Sequence, residues 1–349
     1  MFHSAPIVGL ILLFSAFAFV EAGHSLWEFS TDIKRGIPFD LNWSGTTTWP
    51  GGAVQYCWEG QATRQEFADH FRHALNLWHI AGLPAERFQF FEISLDDCLR
   101  DRRNSIMFYK GPGSFEYATT IGKYVGPVSD DLPGPMVFFN SEGEPLGGRA
   151  GSNTIPEKMA HEIGHIFGLF HEHQDPFFWS DDPLLKLYCM NIEGYDQMVA
   201  GLTSEQIWGE QGICVNQLAA LDHGWNTVAH FLPIVGLTHL VHPNVHPENS
   251  DLDWNSIMLY HSFAAAKQPV DGNKLTLRKA RGGRYWKIPI KRAPSLGDVQ
   301  ALIRLYDASE RRALPRLYHD PRSEYHTAFQ NLQDFQVCDW PRQAGPSGQ

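Results

Sequence analysis

The chain has 349 residues, 43% hydrophobic and 19% charged, with a formal net charge of −11. This composition excludes a disordered chain and suffices for one large buried core or two smaller ones. The negative balance argues against nucleic acid or an anionic membrane as a partner of the whole protein, and the basic stretches Arg100 to Arg103 and Lys279 to Arg284 read as solvated loops.

Residues 1 to 22 have an apolar core from Ile7 to Val20 followed by Val20-Glu21-Ala22, which reads as a secretory signal peptide. The run is short for a membrane span, and Val228 to Val241 is broken by Pro233 and two histidines, so no membrane-spanning segment is expected and the mature protein reads as secreted and extracellular. Export puts Cys57, Cys98, Cys189, Cys214 and Cys338 in an oxidising compartment. Sequence neighbourhood favours Cys189 with Cys214, and Cys57 with Cys98 across two adjacent strands, leaving one thiol over. Asn42-Trp43-Ser44 is an acceptor pattern for a glycan. Residues 23 to 44 form a short polar N-terminal segment, in which Lys34-Arg35 is a dibasic candidate for processing.

Gly23 to Thr48 lacks strong periodicity, and regular patterning begins after it. Ala53 to Trp58 reads as a strand. Thr63 to Glu66 has the form of a capping box, after which Phe67, Phe71, Ala74, Leu75 and Trp78 share one helical face. Phe88 to Ile93, Ser105 to Tyr109, Thr119 to Val125 and Met136 to Asn140 read as strands. Strands and a long helix ahead of residue 154 imply an α+β layer. Pro176 to Asn255 is irregular; Ser295 then caps a helix whose apolar face is Val299, Leu302, Ile303 and Tyr306. Residues 307 to 349 read as a tail on the domain.

Between these regions lies HEIGHIFGLFH, residues 161 to 171, introduced by a second capping box, Thr154 to Glu157. His161 and His165 are four apart on one helix face, the spacing that grips one ion, and Glu162 beside them is placed to accept a proton from a metal-held water. Gly168 can take the left-handed backbone that ends a helix, letting His171 approach from another side. Three imidazoles leave a fourth position open, which is the layout of a catalytic rather than a structural zinc site. The competing reading is a helix with an ordinary polar face, and five residues of this form do recur by chance.

Ser256-Ile-Met-Leu-Tyr260 lies downstream, and with the histidine motif it resembles the metzincin zinc endopeptidases, whose histidines precede a methionine-containing turn. Within that clan the chain most resembles the astacin family, in a form similar to secreted astacin-like proteases of fungi, through Glu172 after His171, Tyr260 two residues after Met258, Trp49-Pro50-Gly51-Gly52, Asp253 and the helix from Ser295 to Tyr306. The resemblance implies a metzincin-like zincin domain over residues 45 to 306, with a twisted mixed sheet and two long helices in an upper half, and an irregular lower half ending in a C-terminal helix. It implies one zinc ion per chain on His161, His165 and His171, Glu162 as catalytic base, Tyr260 as a weaker ligand that stabilises the oxyanion, and Met258 as an apolar floor. Tyr260 reads equally as a core tyrosine. In that family Glu172 often anchors a processed N-terminus.

The chain also departs from the family. His173-Gln174-Asp175-Pro176 follows where the family usually has arginine soon after His171-Glu172, the cysteines usual in animal members around Ala81-Gly82 and after Tyr306 are missing, and the interval from His171 to Met258 is long enough for an insertion. Phe29-Ser-Thr-Asp32 resembles the family's pro-segment motif but has threonine where glycine is expected. His173, His223, His230, His239, His242 and His246 share no ligand spacing and read as scattered surface histidines. The expected protein is a monomeric secreted zinc endopeptidase acting on protein or peptide substrates, with a substrate strand paired to the sheet edge at Met136 to Asn140. The rival is a secreted zinc-containing binding protein without turnover.

Overall fold

The computed structural model describes residues 45–111, 117–127, 129, 133–141, 154–179, 183–235, 251–267, 276–281 and 284–313. The signal segment, Asp32, Lys34-Arg35, Asn42, His239, His242, His246 and Cys338 lie outside them. Among the described residues no helix is long and apolar enough to cross a membrane.

Alternation of side chains in β2 (Ala53–Trp58) and β4 (Ser105–Lys110) places Val54, Ile106 and Phe108 in the core, and these strands build the upper sheet. With β3 (Gln89–Glu92), β5 (Ala118–Thr119) and β7 (Met136–Phe139) they form five strands in the order β3-β2-β4-β7-β5. The first four run parallel and β5 is antiparallel to β7, so the sheet is mixed and β5 is its edge. β7 lies between β4 and β5, so it cannot receive a substrate strand, and the expectation placed on Met136 to Asn140 passes to β5. The strand read as Thr119 to Val125 is two short ones: β5, and β6 (Lys123–Tyr124), which pairs with β1 (Thr46–Thr47).

Two long helices pack on this sheet. α1 (Gln61–Ile80) buries Phe67, Phe71, Ala74 and Trp78, the apolar face read from its spacing. It starts three residues earlier than its capping pattern suggested, with Gly60 at the N-cap, and the Thr63 hydroxyl instead donates to Glu59. α3 (Ile155–Phe167) begins at the expected box, where the Thr154 N–H donates to Glu157 at 2.8 Å, and ends at Gly168 with φ 111°. The Trp78 indole N–H donates to the Ala160 carbonyl at 2.8 Å, which fixes α1 against α3.

α2 (Leu95–Arg100) carries Cys98, which bridges to Cys57 on β2, so this pairing is between a strand and a helix rather than two strands. The second bridge joins Cys189 to Cys214 and closes the segment read as irregular. That segment holds β8 (Leu185–Leu187) and four short helices, α4 (Tyr195–Met198), α5 (Ser204–Trp208), α6 (Gln217–Asp222) and α7 (Asn226–Ala229). Capping side chains at Thr203 and Asn216 start α5 and α6, signals that the scattered prolines and aromatics obscured.

The basic stretch Lys279 to Arg284 is a hairpin rather than a loop: β9 (Leu277–Arg281) pairs with β10 (Arg284–Lys287) and with β8. The last helix, α8 (Leu296–Ala313), starts at Ser295 as read and runs past Tyr306, through residues assigned to the tail. Tyr306 packs on Phe88 and Phe167, with ring centres 4.9 and 6.1 Å apart.

Candidate metal centre

His161 and His165 project from α3, and the left-handed turn at Gly168 brings His171 back to them. The Nε2 atom of His171 lies 3.1 Å from that of His161 and 3.2 Å from that of His165. Each ring is oriented by its other nitrogen. Nδ1 of His161 donates to the Ile257 carbonyl at 2.8 Å, and that of His165 donates to the Leu169 carbonyl at 2.7 Å. Nδ1 of His171 donates to Oε1 of Gln174 at 2.8 Å. Carbonyl oxygens only accept, so all three protons sit on Nδ1 and the three Nε2 lone pairs face one another with no proton between them.

That arrangement is repulsive until a cation occupies it. Tetrahedral nitrogens at about 2.1 Å from zinc stand roughly 3.4 Å apart, close to the separations found here, so the donor set fits the ion. Burial holds His161 at a pKa of about 4, and burial reinforced by the neighbouring imidazoles holds His165 and His171 well below the usual histidine range. The rings therefore stay neutral, as metal ligation requires.

Glu162 is buried, and its Oε2 accepts from the hydroxyl of Thr119 on the edge strand β5. The Gly122 N–H donates to the His165 carbonyl at 2.8 Å, so this side of the sheet is fastened to α3 at two points.

The turn at 256 to 260 packs against His161, His171 and the helix that carries His161 and His165. Buried Met258 presses on α3 where Gly164 has no side chain: a Cβ there would stand 2.5 Å from Met258 Sδ and 3.2 Å from the Trp78 ring. Gly164→Ala is accordingly expected to destabilise the protein by about 1–3 kcal/mol, read as a lower urea midpoint at constant m-value. An unchanged midpoint would show that Met258 can yield.

The turn is held by Asp298, whose carboxylate accepts from the Ser256 hydroxyl at 2.6 Å and the Ile257 N–H at 2.9 Å. Burial raises the Asp298 pKa to about 6 against these bonds. Through Ile257, the last helix thus orients His161.

Tyr260 stands with its ring 4.4 Å from that of His171 and 6.0 Å from that of His161. Glu172 is fully buried; its Oε1 accepts from the Asp253 N–H at 3.0 Å, and among the described residues its Oε2 has no hydrogen-bond partner. Burial holds its pKa well above the usual carboxylate range, and nearby Asp298, Asp253 and Asp175 add to the effect.

Two of the histidines read as scattered surface groups belong to this centre. His173 is fully buried between the rings of His171 and Tyr260, at 5.2 and 4.6 Å, and its Nε2 donates to the His230 carbonyl at 2.9 Å. Burial keeps it neutral, at a pKa of about 3. His230 is exposed, with its ring 5.9 Å from that of His171 and nearly perpendicular to it. His223 is exposed and donates to or accepts from nothing at the centre; its ring reaches the Met198 carbonyl.

Gln174, Thr119 and Asp298 went unnoticed in sequence as site residues. Only Gln174 carried a local signal, lying three residues beyond a ligand whose second nitrogen needs an acceptor.

No family model matches the chain, and no curated protein matches it. Among solved structures the chain is similar to high choriolytic enzyme 1, a hatching enzyme zinc-protease from Oryzias latipes (medaka fish), at 13% identity over 77% of this chain and 98% of that one, with a TM-score of 0.43. It is also similar to myroilysin, at 14% identity over 78% of this chain and 91% of that one, with a TM-score of 0.36.

Proposed function

We propose that the protein is a secreted zinc endopeptidase of the astacin type. One observation carries the reading: three Nε2 lone pairs converge on one point while a buried carboxylate, Glu162, is anchored beside them on the sheet edge. A purely structural zinc site has no use for that carboxylate.

His161, His165 and His171 would hold one zinc ion, which when bound supplies Lewis acidity to the attacking water and the scissile carbonyl. Glu162 takes the proton from the water and returns it to the leaving amine. The Thr119 hydroxyl, donating to Oε2, holds the carboxylate in register. Because Thr119 lies on β5, a peptide paired along that edge is aligned by the same strand that positions the base. Tyr260, beside His171, donates its phenol proton to the developing oxyanion. The signal sequence and the two disulfides support export.

The test is a casein digest with purified protein, before and after treatment with a strong chelator. Cleavage abolished by the chelator and restored by stoichiometric zinc is expected. Zinc bound with no cleavage of casein, gelatin or a broad peptide library would select the rival, a zinc-containing binding protein.

A further inference from the structure

We propose that His230 is a catalytic residue of this site, donating a hydrogen bond from its imidazole to the scissile carbonyl oxygen as that oxygen becomes an anion. The inference rests on the endopeptidase reading and adds a group that the long segment between His171 and Met258 brings to the reaction.

His230 follows α7, and its backbone is fixed to the centre from several directions. The His173 Nε2–H donates to the His230 carbonyl at 2.9 Å, and Gln174 Nε2 donates to the Leu232 carbonyl at 3.2 Å. The Ile234 N–H returns to the Gln174 carbonyl at 2.9 Å. Buried Phe231 packs its ring on Tyr260, 5.1 Å away. Four contacts over residues 230 to 234 thus hold one short stretch against His173, Gln174 and Tyr260, and they fix where the His230 side chain emerges.

What emerges is an exposed ring standing edge-on to a buried ligand, 5.9 Å from His171 at 83°. No described residue hydrogen-bonds that ring, and the segment is anchored by the backbone carbonyl of His230 rather than by its imidazole. It is not a fourth ligand, since the set of converging nitrogens contains His161, His165 and His171 alone among the described residues.

Its side of the centre decides its chemistry. Glu162 is tethered to the edge strand β5, whereas the rings of Tyr260 and His230 both stand beside His171. When water activated by Glu162 adds to the carbonyl carbon, negative charge develops on the carbonyl oxygen, and Tyr260 and His230 are the donors that stand beside His171. An imidazole there offers an N–H, and a donor aimed at developing charge lowers the barrier.

The experiment compares the full-length protein with its His230→Ala and His230→Gln variants. Each is assayed on a fluorogenic peptide chosen from the casein cleavages, and each is measured for zinc content and for inhibition by the phosphinic analogue of the same peptide. His230→Ala is expected to lower kcat by roughly 10²–10³-fold with KM nearly unchanged, and to weaken the phosphinate in proportion to kcat/KM. His230→Gln, whose amide keeps a donor, should recover a substantial part of kcat, and both variants should keep the zinc content of the parent.

A parent with full activity and a His230→Ala variant within about threefold of its kcat would overturn the inference while leaving the endopeptidase reading intact. So would a change confined to KM, which marks a subsite for a substrate side chain, or loss of zinc, which marks a ligand. A parent that cleaves nothing would overturn the underlying reading and this inference together.

Discussion

A Glu162→Gln protein is expected to retain zinc and its fold while losing roughly 10²–10⁴-fold in kcat/KM, the contribution of a positioned general base. The substitution keeps the size of the side chain and lets Thr119 go on pairing with it, so the loss reads the proton transfer itself. Zinc content, urea midpoint and peptide cleavage measured on one preparation separate the alternatives. Full cleavage by Glu162→Gln would remove Glu162 from the chemistry. Loss of zinc in the same variant would mean that the carboxylate supports the ligands instead. The rival binding protein makes a different forecast, in which neither parent nor variant turns over.

The convergence of the three histidines, with Glu162 beside them, was legible in sequence because a helix converts spacing into position. Residues four apart share a face, so His161 and His165 needed no tertiary information. Gly168 announced the turn that returns His171. The same local logic gave α1, α3 and the start of α8, where apolar periodicity and capping side chains agree. It failed where the decisive partner is remote. Asp298 completes the cap at Ser295, which is local, yet the same carboxylate holds Ser256 and Ile257 across more than forty residues.

His173 carries no hydrophobic signature, so its complete burial followed only from the stacking of Tyr260 and the arrival of residue 230. The sheet edge was misplaced for a related reason. The strand order depends on which hydrogen bonds Ala118 and Thr119 make, and two residues are too few to show alternation. Residues of one polar or two-residue element thus acquire their roles from neighbours that the sequence places far away.

Gln174 offers the second large effect, because its two ends do different work. Oε1 accepts from the His171 Nδ1–H, while Nε2 donates to the carbonyls of Leu232 and Ala229 at 3.2 and 3.4 Å. Gln174→Met removes both, leaving a buried imidazole N–H unpaired and the His171 ring free to turn, and zinc affinity is expected to fall roughly 10–100-fold. Gln174→Glu divides the functions. A carboxylate is a stronger acceptor, so it keeps His171 oriented and holds or raises zinc affinity, but it has no donor for Leu232 or Ala229 and faces their oxygens with negative charge. This variant should bind zinc as tightly as the parent in a chelator competition and still cleave more slowly, since the stretch that carries His230 loses its tie to the centre. Equal zinc affinity in Gln174→Met and the parent would show that His171 is held by α3 and its following turn alone. Equal cleavage by Gln174→Glu and the parent would show that residues 230 to 234 keep their place through His173 and Phe231 without the amide.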